Sequence, residues 1–329
     1  MVRKIAFLLF ILFIWSCNTE PKQHKIQFYH WKTVAEIGKV EQDYFQKLKS
    51  EKLYLRVFDL VKSQGKPMPT AIIQSFDANN LNAEYIPVVY ITNEIFGGTE
   101  KVEVQKLVEN TFQMIQQIAE ANQFSNYPEI QIDCDWTEST KENYFQFLTE
   151  LKNQSHKNIS STLRLHQVKF RNIAGVPPAD KVYLMCYATS SPIEEIEKNS
   201  ILDVNLLKEY LENINDYPIP FDVALPIYSW AIVTNHLGKK KLINGVSESD
   251  LNSVEFKKQQ DGTYEVQEDV FLRGIYLNPG FKIKVETIPI SLLKKTREFL
   301  DSKIKTDFDL VYYHLDGLFL NRYLVDDLK

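Results

Sequence analysis

In the stretch IQIDCDWTES (130–139), two carboxylates, Asp133 and Asp135, stand one residue apart inside an apolar run. Side chains alternate along a strand, so residues two apart share a face. Ile130, Ile132, Cys134 and Trp136 form one set, and Gln131, Asp133, Asp135 and Thr137 form the other. The apolar set suits a layer packed under helices, which points the two aspartates to the inside of the sheet. Neighbouring carboxylates in such a place are desolvated and repel each other, so at least one pKa is expected to rise. A carboxyl tuned in this way can hold and deliver a proton near neutral pH. Arg164 and His166 alternate with Leu163 and Leu165 and are expected to face inward as well, where either could balance Asp133. The plainer reading of the same four residues is an internal ion-pair network that only holds the sheet together, since structural networks also shift pKa values.

The elements that must position these residues follow from periodicity. Strand-like runs occur at 26–33, 52–60, 85–93, 129–136, 160–170, 181–189, 221–233 and 309–317, and helical patterns separate most of them. The helix that follows the fourth strand, in STKENYFQFLTELKNQ, opens on a Ser/Thr cap. Eight strands alternating with helices predict a (β/α)8 barrel, whose functional residues lie at the C-terminal ends of the strands. The rival architecture is a doubly wound open sheet, but no GxGxxG or Walker loop follows the first strand. Residues 235–289 break the rhythm: they hold strand-like pieces and an Asp-Gly hairpin signal in QQDGTYEV, and are expected to form a small β-rich insertion after strand seven.

Aromatic side chains gather at the expected strand ends. Tyr29 and Trp31 end strand one, Tyr183, Met185 and Tyr187 share a face of strand six, and Tyr228 and Trp230 lie near the end of strand seven. Each one taken alone is best read as core filling. Their grouping beside acids suits a sugar, whose C–H faces pack on rings while its hydroxyls bond carboxylates.

The strand-four run resembles the DGxDxDxE signature of family-18 glycoside hydrolases, the chitinase-like barrels, with Asp133 and Asp135 on its second and third aspartates. LMCYAT resembles that family's Met-x-Tyr-Asp strand end, with Tyr187 on the tyrosine, and LPIYSW its Leu-Pro-x-Tyr segment, with Tyr228 on the tyrosine. The segment 235–289 falls where many of those enzymes insert a small α+β domain. The resemblance implies a glycan ligand. It also exposes departures: the signature's glutamate, the general acid, falls on Thr137, the strand-six aspartate on Ala188, and the leading Asp-Gly on Ile130-Gln131. Threonine does not deliver a proton near neutral pH, and in the family's substrate-assisted mechanism the protein acid is indispensable.

Replacement acids are available in the sequence. Asp135 is one, tuned by Asp133; Glu138, in the loop after the strand, is another, although it also suits the N-terminal turn of a helix. Asp59, Asp316 and His314 lie near the ends of strands two and eight. The expected site thus has Asp135, Glu138 and Asp133 as catalytic candidates, with Tyr187, Tyr228, Trp230, Arg164, His166 and Trp31 around the substrate. Glycan hydrolysis, silent sugar binding and a scaffold for protein partners all remain open at this point. No metal-ligand spacing is visible, so no metal or other cofactor is expected.

The N-terminal residues MVRKIAFLLFILFIWSC set a compartment. Arg3 and Lys4 precede an apolar run, Ile5–Trp15, too short for a usual membrane span. The end of the run resembles a bacterial lipobox, which implies cleavage after residue 16 and lipid attachment at Cys17. The expected organisation is a signal peptide at 1–16, a polar tether at 17–25 and a barrel at 26–329. The expected place is the bacterial cell envelope, lipid-anchored to a membrane on the periplasmic or outer-membrane face. Without Arg3 and Lys4 the chain carries 36 basic against 43 acidic side chains, which gives nucleic acid no basic surface to bind. Cys134 and Cys186 lie in apolar runs and are expected to be buried free thiols.

Overall fold

The computed structural model describes residues 22–77, 81–98, 101–193 and 198–329. The signal-like segment and Cys17 lie outside the described residues. Eight parallel strands form the centre: β1 (Ile26–His30), β2 (Lys52–Ser63), β3 (Glu84–Ile91), β4 (Glu129–Asp133), β5 (Asn158–Arg164), β6 (Lys181–Met185), β7 (Phe221–Pro226) and β8 (Leu310–Tyr313). They pair in chain order, and β1 pairs with both β8 and β2, so the sheet closes into a barrel. The helices α1 (Lys39–Lys47), α2 (Lys101–Ala121), α3 (Lys141–Ser155), α4 (Leu165–Lys169), α5 (Arg171–Ala174), α6 (Val204–Tyr210), α7 (Ile290–Lys303) and α8 (Gly317–Leu320) lie in the connections. This is the expected (β/α)8 architecture.

The apolar parity of strand four is what the closed sheet needs. Ile130 and Ile132 are fully buried on the helix side. Trp136 stacks on Tyr144 of α3 at 5.2 Å and donates its indole N–H to the Ala174 carbonyl at 2.9 Å. Gln131 faces the interior and donates to Ser160 Oγ. Cys134 and Cys186 are buried free thiols.

Several strands stop earlier than their sequence patterns suggest. β4 ends at Asp133, so Asp135 and Thr137 lie beyond it in the loop at the mouth. β5 ends at Arg164, and the chain turns at once into α4, so His166 is a helical residue rather than an inward strand residue. Leu165 and Val168 are buried while His166 and Lys169 are exposed, which is helical spacing. Gln167 fixes the turn: its carbonyl oxygen accepts from Arg164 N–H at 2.8 Å, and its amide donates to the Trp136 carbonyl at 3.0 Å. The 221–233 run splits into β7 and a separate strand, Trp230–Thr234, so Tyr228 lies in the connection and Trp230 begins another sheet. Trp31 lies one residue past β1.

That second sheet is antiparallel, ordered Lys240–Asn244, Trp230–Thr234, Lys282–Glu286, Tyr264–Val266, Phe256–Lys258. The Asp261-Gly262 turn joins its last two strands, and Gly262 adopts φ +82° there, a conformation that favours glycine. The sheet has its own apolar core, built on Ala231, Val233, Ile243, Val266 and Ile283.

Candidate functional site

Asp133 closes β4 at the floor of the barrel mouth and is buried. Thr162, on β5, donates its hydroxyl to Asp133 Oδ1 at 2.7 Å. Burial is the main cause that raises the Asp133 carboxyl, and the neighbouring Asp135 raises it further; the Thr162 hydrogen bond and Arg164 pull it back. The balance leaves it at about 7, so this carboxyl exchanges its proton near neutral pH. Asp135 is half-exposed at the rim, with Oδ1 at 3.5 Å from Arg164 Nε. Arg164 therefore sits on Asp135, while Asp133 leans on a neutral hydroxyl. Tyr90 lies opposite Asp133 in the β3–β4 register, and burial plus both carboxylates push its phenol up to about 12.

A β-bulge supplies the next pair. Residues three apart on a regular strand face opposite ways, yet Arg56 and Asp59 of β2 meet in a bidentate contact, both distances 2.6 Å. The register shift between Arg56 and Phe58 restores a common face. Arg56 also donates to the Trp31 carbonyl at 3.0 Å, and its guanidinium lies 5.6 Å from the centre of the Trp31 ring. Asp59 is thereby held in an ion pair with Arg56.

The aromatic residues form one continuous set. Tyr313 of β8 lies 5.5 Å from Trp31, 5.5 Å from Tyr187 and 5.6 Å from Tyr228, and Tyr228 lies 5.3 Å from Trp230. Tyr187 is buried, and its hydroxyl finds no hydrogen-bond partner among the described residues. A buried hydroxyl left alone is costly. Beside it Arg164, His166, Thr189 and Tyr210 line a hollow of about 50 Å³, large enough for a ring substituent but not for a ring. His166 reaches this hollow from α4, and partial desolvation of its ring, with Arg164 nearby, holds the imidazole below its ordinary pKa.

Trp230 is held by a residue that its sequence neighbourhood does not announce. Glu286 is buried at the end of the Lys282–Glu286 strand; its Oε2 accepts the Trp230 indole N–H at 2.8 Å and Ser200 N–H at 3.1 Å. Ser200 Oγ donates to the same oxygen, and Lys284 Nζ donates to Oε1 at 2.6 Å. Glu286 is 56 residues from Trp230, so only strand pairing brings them together. Thr162 and Tyr313 were within reach of alternation, since Thr162 shares its strand face with Arg164.

Other expected residues do not join the site. Glu138 is exposed on the loop before α3. Thr137 is absorbed by the same turn: its N–H donates to Thr140 Oγ1 at 2.9 Å, and its hydroxyl lies 3.0 Å from Ser139 Oγ. Asp316 binds Lys32 at 2.7 Å and caps α8 through Leu318 N–H. Burial keeps the His314 imidazole well below its usual pKa, and therefore neutral. No group of three or more metal-ligating side chains occurs among the described residues.

No family model matches the chain, and no curated protein matches it. Solved structures do. A chitinase from Chromobacterium violaceum superposes with a TM-score of 0.57 at 10% identity, over 93% of this chain and 99% of that one. The spore cortex-lytic enzyme SleL of Bacillus cereus gives 0.55 at 15% identity, over 93% and 73%. Human YKL-39, a pseudo-chitinase with retained chitooligosaccharide binding properties, gives 0.51 at 9% identity, over 93% and 98%. What is shared at these identities is the barrel fold.

Proposed function

We propose that this chitinase-like barrel binds a glycan at its mouth, with Trp230, Tyr228 and Trp31 packing on sugar faces and Tyr187, Asp133, Asp135, Arg164 and His166 reading hydroxyls and substituents. The observation that carries the reading is the unbroken aromatic set from Trp31 to Trp230 beside a buried carboxyl and an unpartnered tyrosine hydroxyl. Support also comes from fold neighbours of both kinds, chitinases and a pseudo-chitinase that keeps its oligosaccharide binding. Calorimetric titration with chitin-type and peptidoglycan-derived oligosaccharides tests it. Trp230→Ala should weaken binding about tenfold, equivalent to about 1.4 kcal/mol. Wild type that takes up none of these glycans overturns the reading.

One observation favours hydrolysis as a second reading: Asp133 exchanges its proton near pH 7, the range a general acid needs. In that scheme Asp135, half-exposed at the rim, reaches the glycosidic oxygen as acid and base, and the buried Asp133 beside it is the proton store. The exposed Glu138 is the competing acid. Released reducing ends report the activity; Asp135→Asn should lower kcat by at least about 100-fold, and Glu138→Gln should leave it unchanged. The reverse pattern reassigns the acid to Glu138. The envelope location belongs to the same proposal: the lipobox-like segment ending at Cys17 supports a lipid anchor that holds the barrel at a glycan-rich surface.

A further inference from the structure

A second cavity, larger than the hollow beside Tyr187, does not open at Asp133. It measures about 650 Å³ and lies outside the barrel, between α2 and the hairpin formed by the end of β2 with the strand Lys66–Thr70. Its walls are apolar below and cationic above. Leu60, Leu107 and Met114 line it above the fully buried Phe58, and the exposed Lys62, Lys66 and Lys106 line it as well. Lys62 braces the structure by donating to the Glu94 and Gly97 carbonyls at 3.2 and 3.4 Å. Lys66 and Lys106 are exposed beside it. Among the described lining residues Glu103 is the one acid, against three lysines.

The shape is a trough. Positions 103, 106, 107, 110, 111 and 114 are one face of α2, and they run along the helix for about 16 Å at the usual rise per residue. The opposite wall is a sheet edge carrying Pro67 and Pro69, which have no N–H to offer, so an added peptide strand finds few donors there. Thr111 spends its hydroxyl on the Leu107 carbonyl at 2.6 Å, leaving the floor without a free donor at that point.

We propose that this trough binds a long-chain carboxylate, with its alkyl chain over Leu60, Leu107 and Met114 and its head group between Lys66 and Lys106. Apolar length and a cationic rim together select an amphipathic anion over a sugar or a neutral chain. The site is separate from the glycan mouth and independent of it. Displacement of a fluorescent palmitate from the full chain tests the proposal. Saturable one-to-one binding is expected, competed by palmitate and at least tenfold less well by the neutral palmityl alcohol. Lys66→Glu with Lys106→Glu should weaken it at least tenfold, and Asn110→Trp, an exposed position that fills the trough, should abolish it. Three results overturn the proposal: no saturable palmitate binding, binding equal in all variants, or binding to anionic vesicles alone. The last identifies a membrane-facing surface instead of a ligand trough.

Discussion

Asp133 carries its carboxyl at about 7 inside the folded chain against 3.8 for an ordinary aspartate, and linkage converts that difference into a pH-dependent stability. Between those values the folded state binds more protons than the unfolded state. Stability must therefore fall as pH rises from about 4 to about 7 and then stay level. The full effect is at most about 4 kcal/mol, by the usual conversion of pKa units to free energy. Asp133→Asn removes the titration yet keeps an oxygen to accept from Thr162. Urea unfolding should show the variant more stable than wild type at pH 8, with the advantage gone at pH 4. A constant difference at both pH values would mean that Asp133 does not titrate in this range.

At the scale of elements, the parity of strand four was legible because Ile130, Ile132, Cys134 and Trp136 bury one face whatever follows. The ends of strands were not. β5 reads as continuous through 170, but Gln167 draws the chain into α4, and the tertiary hydrogen bond to the Trp136 carbonyl holds it there. The 221–233 run reads as one strand, yet its second half pairs with Lys240–Asn244 and Lys282–Glu286. That pairing creates the Glu286 contact with Trp230. Glu286→Gln replaces one accepting oxygen with a donor that faces Lys284 or Ser200, and should cost about 1–3 kcal/mol of stability. It should also weaken oligosaccharide binding by about the same factor as Trp230→Ala, and the double variant should lose little more. Additive losses would show that Glu286 does not act through Trp230.

For the molecule as a whole, the barrel and the Trp230–Glu286 sheet have distinct apolar cores, joined where Trp230 packs on the barrel and Ala231 on the sheet. Ile283 is fully buried in the smaller core, and Ile283→Ala should cost about 2–5 kcal/mol there. The barrel keeps all of its own contacts in that variant. Trp230 fluorescence should then change at lower urea than the far-ultraviolet signal of the barrel helices. Coincident transitions would show that the two cores unfold as one unit.

Alternation and helical spacing by themselves determined the eight strands, the helices between them and the inward direction of Asp133, because burial of an apolar face is a local pattern with a fixed period. Alternation also marked the aromatic residues at the strand ends, while the glutamate replaced by Thr137 showed only through the resemblance to the family-18 signature. Only the tertiary structure decided which charges meet. Arg164 settles on Asp135 rather than Asp133, a bulge pairs Arg56 with Asp59, and a strand 56 residues away brings Glu286 to Trp230. Ion pairing and desolvation depend on distances of a few ångströms between strands, and no sequence period encodes those.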